Sequence, residues 1–275
     1  MRNLIKNTVF ILILSTQIAY AKKIVSLGGT MTEIIFALGD GDKIVGVDST
    51  SVHPKKALSL TQLGYRQNIS IEGIASLKPD LVFASSLLAP KAVIEKLKTL
   101  GVEVHVIPEL NSFESAKNKV KAIAAVLKKV DEGKRLITKM ERELNKVTQL
   151  VKNNKKTKLA FIYARGGNRL FLAGKETAAH SMIKMSGGEN TFASFDGYKP
   201  VSTEALIMGN PDAIIMLKRG VSSLKNGPWK IKGVDQTSAG KKQNLIVVDD
   251  LAFLGFGPRS ASELIHLVQS IKKIK

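Results

Sequence analysis

The chain has 275 residues, no cysteine and a formal net charge of +19 at pH 7. The absence of cysteine excludes a disulfide framework and a thiol nucleophile, and a chain of this length can bury a large enough core to fold without cross-links. The charge favours anionic partners. However, aromatic residues make up only 5% of the chain and are not interleaved with basic runs, which argues against nucleic-acid binding.

The first 21 residues resemble a secretory signal peptide. Arg2 and Lys6 give a positive start, an apolar segment follows between residues 9 and 18, and Ala19-Tyr20-Ala21 provides the small-x-small pattern of a cleavage site. The apolar segment is too short for a permanent membrane span, although an uncleaved anchor is the alternative. We expect cleavage after Ala21 and a mature chain of 275 − 21 = 254 residues in the periplasm.

The first half of the mature chain alternates predicted strands and helices. Apolar runs predict strands at Lys23–Leu27, Ile44–Val47, Leu81–Ala84 and Val102–Ile107. Helices are predicted at Thr32–Leu38, opened by a capping box of Thr30 and Glu33, and at Pro90–Leu100, ended by Gly101. This alternation predicts a mainly parallel sheet whose ligand sites lie at strand ends.

A long amphipathic helix is predicted from Asp131 to Lys152. Its apolar residues recur at the spacing of one helical face, and polar residues occupy the other positions. Such a helix is about 30 Å long at 1.5 Å per residue and makes a stiff connection. We therefore predict a first lobe at residues 22–130, a linking helix at 131–153 and a second lobe at 154–275.

The second half repeats the alternation of strands and helices. Strands are predicted at Leu159–Tyr163, Leu170–Leu172, Ala213–Leu217 and Leu245–Val248, and helices at Thr177–Met185, Thr203–Met208 and Ser260–Lys273. Two segments also look like copies of each other, which favours two similar lobes. These segments are residues 70–83 and 202–215. Each begins with a serine N-cap followed by a glutamate. Seven residues after the glutamate comes a Pro-Asp turn, and an apolar strand follows the turn.

Enzyme chemistry finds little support in the sequence. The chain has no Gly-x-Ser-x-Gly motif, and its four histidines lack the spacing of a metal site. A basic periplasmic enzyme acting on anionic polymers remains the alternative from another class, but no nucleophile or acid–base pair is recognisable. We predict a binding protein and not an enzyme.

Several stretches resemble one known family. They are Val47–Leu58 continuing to Leu63-Gly64-Tyr65, Leu172–Gly174, Ser186–Asn190, Gly197–Lys199 and Leu254–Arg259. The chain resembles the haemin-binding proteins of bacterial haem ABC importers, within a helix-hinged group that also binds siderophores and cobalamin. The resemblance implies an α/β fold of two Rossmann-like lobes with mainly parallel sheets, joined by a long rigid helix, with haem in the cleft between them. A ferric siderophore or cobalamin is the alternative ligand.

The resemblance also implies candidate ligand-binding residues. Tyr65 matches the family's axial ligand to ferric haem iron, and a phenolate is a hard oxygen donor suited to Fe(III). Arg66 could support the phenolate, although the family commonly has its arginine one residue later, where this chain has Gln67. Arg165 stands where some members have a histidine ligand and is free to bind a haem propionate. Arg259 is a second propionate candidate.

Two glutamates are candidates for docking on a membrane permease. In the wider group, one glutamate per lobe contacts arginines of the permease, and Glu72 and Glu204 match these positions. The alternative is that each only complements the N-terminus of its helix. The predicted partners are therefore haem and an inner-membrane ABC permease, with the protein itself a monomer.

Overall fold

The computed structural model describes residues 22–152, 156–165 and 169–274. The predicted signal peptide at residues 1–21 lies outside these ranges, so its cleavage stays a prediction. Within the ranges, no helix is both long enough and apolar enough to cross a membrane.

The first lobe is built on a five-stranded sheet in which every pair of neighbouring strands is parallel, in the order β3-β2-β1-β4-β5. Its strands are β1 (Ile24–Leu27), β2 (Ile44–Val47), β3 (Thr61–Gln62), β4 (Leu81–Ser85) and β5 (Glu103–Ile107). Its helices are α1 (Gly29–Ala37), α2 (Ile71–Ser76), α3 (Lys91–Thr99) and α4 (Phe113–Val126).

Helices cover both faces of this sheet because its central strands are apolar on both faces, with one serine in each of β1 and β4. In β4, Leu81 and Phe83 belong to the core cluster that includes α1 and α4, whereas Val82 and Ala84 belong to the cluster that includes α2 and α3. All four side chains are fully buried. Continuous apolar runs of this kind are typical of parallel strands buried on both faces.

The second lobe has a mixed sheet in the order β11-β10-β6-β7-β9, with β8 also paired to β6. The strands are β6 (Lys158–Ala164), β7 (Leu170–Ala173), β8 (Glu189–Asn190), β9 (Tyr198–Pro200), β10 (Ala213–Leu217) and β11 (Leu245–Val248). Strand β7 runs antiparallel to both β6 and β9, and the remaining pairs are parallel. The helices are α6 (Ala178–Met185), α7 (Thr203–Gly209), α8 (Lys218–Ser223), α9 (Ser238–Lys242), α10 (Asp250–Leu254) and α11 (Ser260–Ile271).

The helix α5 (Val130–Val151) connects the two lobes. Its fully buried positions are Gly133, Met140 and Val147, which recur every seven residues and face α4 and α11. A Cβ atom at Gly133 would lie only 2.7 Å from the Cβ of Ala124, so glycine allows α5 to approach α4 closely. The predicted fold of two α/β lobes joined by one long helix is confirmed.

The sequence repeat corresponds to equivalent helix caps in the two lobes. The Ser70 hydroxyl accepts a hydrogen bond from the backbone N–H of Gly73 at the start of α2, at 2.9 Å. The Ser202 hydroxyl accepts one from the N–H of Ala205 at the start of α7, at 3.1 Å. Each satisfies one of the free N–H groups of a helix N-terminus, so both predicted N-caps are confirmed.

The Pro-Asp part of the repeat also has an equivalent role in each lobe. The Asp80 carboxylate accepts a hydrogen bond from the backbone N–H of Lys23, just before β1, at 2.7 Å. The Asp212 carboxylate accepts one from the N–H of Lys158, at the start of β6, at 2.9 Å. Asp80, just before β4, thus holds the start of the neighbouring strand β1, and Asp212, just before β10, holds the start of the neighbouring strand β6.

The predicted capping box at the start of α1 is wrong. The helix begins at Gly29, and its N-cap residue Gly28 supplies no side-chain hydrogen bond. Thr30 instead donates its hydroxyl proton to the carbonyl oxygen of Gly255 in the other lobe, at 3.2 Å. Glu33 is buried and forms an ion pair with the second lobe. Both side chains serve the contact between the lobes, which the local pattern could not indicate.

Candidate functional site

A cleft separates the two lobes at the carboxyl ends of their parallel strands. It contains a cavity of about 280 Å³ and an adjoining one of about 400 Å³. Six residues line both cavities: Thr50 and Tyr65 from the first lobe, and Tyr163, Leu217, Arg219 and Asp250 from the second. Each of them lies at or just after the end of a strand, as expected for ligand sites in parallel sheets.

Tyr65 lies in the loop after β3, and its side chain is 38% exposed in the cleft. The preceding residue, Gly64, has a φ of +97°, and a Cβ atom there would lie 2.1 Å from the carbonyl oxygen of Asn68. Glycine is therefore required for this turn. The turn is closed by the Asn68 N–H, which donates to the Tyr65 carbonyl oxygen at 3.0 Å. The turn at Gly64 thus positions the phenol of Tyr65 in the cleft.

Arg66 lies against Tyr65, but its hydrogen bond goes elsewhere. The Arg66 guanidinium carbon is 5.9 Å from the centre of the Tyr65 ring, and a terminal nitrogen donates to the carbonyl oxygen of Leu87 at 3.3 Å. The guanidinium therefore lies beside the Tyr65 ring, and its side-chain hydrogen bond goes to the backbone of Leu87.

A buried carboxylate organises the wall of the cleft beside Tyr65. Asp48 is 1% exposed and accepts hydrogen bonds from the hydroxyls of Thr50, at 2.7 Å, and Ser51, at 3.0 Å. Burial raises the pKa of the Asp48 carboxyl, and these hydrogen bonds oppose that effect. The Thr50 hydroxyl in turn accepts the N–H of Gly29 at 2.8 Å. The sequence motif around residue 48 therefore fixes the shape of the first-lobe wall.

Arg219 is a cleft residue that the sequence analysis missed. It lies two residues after β10, in the first turn of α8, and its guanidinium is held by Asp250, with Arg219 Nε donating to Oδ1 at 2.8 Å. The side chain is mostly exposed and lines both cavities. The sequence places Arg219 just after a buried parallel strand, at the ligand end of the sheet, but the direction of its side chain depends on Asp250, 31 residues away.

Arg165 lies at the end of β6 and is exposed in the larger of the two cavities. The structure therefore brings Tyr65, Arg165 and Arg219 to one cleft, with the phenol on one lobe and both guanidinium groups on the other. Arginine is permanently charged at any physiological pH. The second-lobe wall of the cleft is consequently suited to anionic groups.

A buried lysine lies behind the cleft and joins the lobes. Lys119 is 1% exposed; its ammonium group lies 3.3 Å from the carboxylate of Glu109 and donates to the carbonyl oxygen of Gly255, in the second lobe, at 2.8 Å. Burial lowers the pKa of Lys119, and the Glu109 carboxylate opposes that change. Glu109 also accepts a hydrogen bond from Ser85 and lines the cleft. Lys119 therefore connects a cleft residue to the lobe interface.

Arg259, the second predicted propionate ligand, does not line either cavity. It bridges the lobes instead, with Nε 3.2 Å from the Glu33 carboxylate and a terminal nitrogen 3.3 Å from that of Asp249. Burial raises the pKa of Glu33, and the Arg259 charge opposes this effect. Because two carboxylates already compensate its charge, Arg259 acts at the interface between the lobes and away from the cleft.

The two candidate docking glutamates occupy equivalent positions. Glu72 lies in the first turn of α2 and Glu204 in the first turn of α7, and both are exposed. Both helices begin at the cleft-side end of their lobe, since each follows a strand that runs toward the cleft. In the part of the chain that the structure describes, neither carboxylate forms an ion pair. Both are therefore available to a partner.

No cluster of three histidine, aspartate or glutamate side chains that could hold a metal ion occurs among residues 22–152, 156–165 and 169–274. His180, in helix α6 of the second lobe, is hydrogen-bonded to Asn190 at 3.2 Å and does not line the cleft.

Two α/β lobes, one connecting helix and a cleft between facing strand ends define a solute-binding protein that carries a ligand between its lobes. The chain belongs to the periplasmic binding protein family, which matches residues 24–251. The family and its structural neighbours are substrate-binding transport proteins. This membership gives the protein a location outside the cytoplasm, a ligand in the cleft and an ABC permease as its partner.

The fold is close to those of solved haem-binding proteins. The periplasmic heme-binding protein RhuT from Roseiflexus sp. RS-1, in its apo form, is 34% identical, with a TM-score of 0.87 over 91% of this chain and 98% of that one. The periplasmic heme-binding protein BhuT in complex with two hemes is 31% identical, with a TM-score of 0.86 over 92% of this chain and 98% of that one.

Some sequence relatives carry a ligand other than haem in their names. The uncharacterized ABC transporter substrate-binding lipoprotein YvrC of Bacillus subtilis is 31% identical over 254 residues, 91% of this chain and 80% of that protein. The vitamin B12-binding protein of Vibrio parahaemolyticus is 27% identical over 209 residues, 76% of this chain and 74% of that protein. The comparisons thus agree on the class of protein and leave haem and cobalamin as candidate ligands.

Proposed function

We propose that this protein captures haem outside the cytoplasm and delivers it to an ABC permease in the inner membrane. The observation that carries the proposal is the Tyr65 phenol, which the Gly64 turn presents to a cleft between two lobes. An anionic phenolate is a hard oxygen ligand suited to Fe(III), and tyrosine is an established axial ligand of haem iron. Arg66 places a positive charge beside the Tyr65 ring.

The apolar part of the cleft suits a porphyrin ring. Leucines contribute much of the lining, and two of them in the first lobe, Leu87 and Leu110, are 58% and 70% exposed without a ligand. Exposed apolar side chains grouped in a concave surface are typical of a ligand site. A flat apolar macrocycle bound through Tyr65 would cover them.

The second lobe offers cations for the two propionates of haem. Asp250 orients the guanidinium of Arg219 through Nε, which leaves its terminal nitrogens available for a bidentate contact with a carboxylate. Arg165 provides a second guanidinium in the same cleft. We assign propionate binding to Arg219 and Arg165, and no ligand contact to Arg259, because Glu33 and Asp249 already occupy it.

Cobalamin is the second candidate, favoured by the relatives named as vitamin B12-binding proteins. Its corrin ring carries neutral amides in place of propionates, and its one anionic group is the phosphodiester of the nucleotide loop, so it offers Arg219 and Arg165 one anionic group where haem offers two. Titration of the purified chain with haemin and with cyanocobalamin separates the two. We expect haemin to bind with a shifted Soret band and cobalamin not to compete. Tight cobalamin binding, with no shift of the Soret band on addition of haemin, would show that cobalamin and not haem is the ligand.

We further propose that Glu72 and Glu204 dock the protein on arginines of the permease. The exposed, unpaired carboxylates at equivalent positions of the two lobes support this role. Replacing both by glutamine should lower haem uptake through the reconstituted permease by at least about tenfold, since breaking a desolvated charge pair costs several kcal/mol. Haemin affinity should not change, because neither residue lines the cleft.

A matched control for the docking experiment replaces two exposed glutamates elsewhere, Glu95 and Glu141, by glutamine. This variant has the same net charge as the docking variant and should transport normally. Equal uptake by all three proteins would contradict docking through Glu72 and Glu204. It would leave only their alternative role, the stabilisation of the N-termini of α2 and α7.

The mature form follows from the same proposal. We propose that the chain begins at Lys22 after cleavage of the signal peptide and acts as a monomer that diffuses between the ligand and the permease. N-terminal sequencing of the exported protein and its elution volume in gel filtration test these two statements. An intact first segment on the exported protein would favour the uncleaved anchor.

A further inference from the structure

The second lobe contains an open groove that is separate from the cleft. Its volume is about 740 Å³, and four basic residues line it, namely Arg169, Lys225, Lys230 and Lys232. All four side chains are exposed, and no acidic side chain contributes to the lining. We call this surface the basic groove. Nothing in the proposed haem site accounts for it.

The four cations of the basic groove have no partners of their own. Within the described ranges, none of these side chains forms an ion pair or a side-chain hydrogen bond. Other surface lysines do find acidic neighbours, as Lys117 does with Glu114 at 2.8 Å. Four unpaired positive charges around one concavity raise the local potential and attract anions.

The floor of the basic groove is apolar. Leu170, Phe171, Val201 and Leu224 are half-buried in it, and Ile231 is 8% exposed. A surface with cations at its rim and apolar side chains below matches a ligand that joins an anionic group to carbon chains. A free inorganic anion or a purely acidic peptide would leave this floor uncovered.

The basic groove opens at the end of the lobe that faces the permease in the proposed docking. Arg169 precedes β7 and Pro200 ends β9, both at the cleft-side end of the sheet. Thr203, which precedes the docking candidate Glu204, is also part of the lining. In the proposed docking this end approaches the bilayer that holds the permease, so the inference rests on that docking and not on the identity of the ligand in the cleft.

We propose that the basic groove binds the phosphate head groups of anionic phospholipids, with its apolar floor against the adjoining glycerol and acyl carbons. Each basic residue near an anionic membrane surface contributes appreciably to binding, and the attraction falls with salt. The contact would concentrate the protein at the membrane beside its permease and orient the docking end toward it.

The test is co-sedimentation of the purified chain with vesicles of phosphatidylcholine alone and of equal parts phosphatidylcholine and phosphatidylglycerol. One variant replaces Lys225, Lys230 and Lys232 by glutamine. A control variant replaces three exposed lysines of α4 and α5, Lys121, Lys139 and Lys146, by glutamine. It has the same net charge as the groove variant. We expect wild type and control to bind the anionic vesicles at low salt, and the groove variant to bind on the order of a hundredfold more weakly.

Four outcomes would overturn the proposal. Equal losses in the groove variant and the control would show attraction by net charge alone, and no preference of wild type for anionic vesicles would exclude the contact altogether. Displacement by inorganic phosphate beyond that by chloride at equal ionic strength would indicate a site for free phosphate. Normal vesicle binding by the groove variant with slower uptake through the permease would assign the groove to an acidic segment of the permease.

Discussion

Replacing Tyr65 by phenylalanine is expected to abolish the iron–phenolate bond while leaving the shape of the cleft unchanged. The hydroxyl is the only group removed, and the Gly64 turn that presents the ring stays intact. Haemin affinity should fall by roughly two orders of magnitude, about 2.7 kcal/mol. Absorption titration should show the loss of the shifted Soret band, and resonance Raman the loss of the phenolate vibrations.

Two further variants in the same cleft make this result specific. Tyr163, on the opposite lobe, lines the same two cavities, and its replacement by phenylalanine should leave the spectrum unchanged. Replacement of Arg219 by glutamine should weaken haemin binding without altering the spectrum, because a propionate contact does not involve the iron. An unchanged spectrum and affinity in the Tyr65 variant would show that Tyr65 is not the iron ligand. Loss of the shifted Soret band in the Tyr163 variant alone would assign the iron to Tyr163.

Of the substitutions proposed, replacing Lys119 by methionine is expected to lower the free energy of unfolding most. Methionine fills a similar volume, but the Glu109 carboxylate then loses its counter-charge and Gly255 loses one of its two inter-lobe donors, with Thr30 left as the other. Breaking a buried ion pair by removing one partner costs about 3 kcal/mol. Urea denaturation followed by circular dichroism should show this decrease in the free energy of unfolding.

The control for this experiment is Lys121, which is exposed on the same helix, α4. Its replacement by methionine should change the free energy of unfolding by no more than about 0.5 kcal/mol. Replacing Glu109 by glutamine in the Lys119 variant should recover part of the loss, since no unpaired buried charge then remains. Equal stability of the Lys119 and Lys121 variants would show that the buried ammonium group of Lys119, with its bond to Gly255, does not stabilise the lobe interface.

Much of the fold could be predicted because parallel strands in this chain are continuous apolar runs. The strands at Ile44–Val47, Ala213–Leu217 and Leu245–Val248 are found at the predicted bounds, and the long helix differs by one residue at each end. Helix α4 was not predicted. Its buried apolar residues do recur at helical spacing, but the buried face also includes Ser115 and the charged Lys119, whose burial no local pattern indicates.

The residues of the cleft could be predicted only where a local motif carried the signal. Tyr65 follows a glycine that its turn requires, and that pair is recognisable in the sequence. Arg219 has no such neighbour, because the carboxylate that orients it belongs to Asp250, 31 residues away. Strand order is also needed to know which strand ends meet at the cleft.

The sequence by itself determined the alternation of strands and helices, the two-lobed repeat and the Gly64-Tyr65 turn. Only the tertiary structure decided which arginines face the cleft. Arg219 is free to do so, whereas Arg259 is held by Glu33, a residue 226 positions away in the chain. Periodicity reports contacts within one element, but the partner of a charged side chain is set by how distant elements pack, and that is not visible in any local pattern.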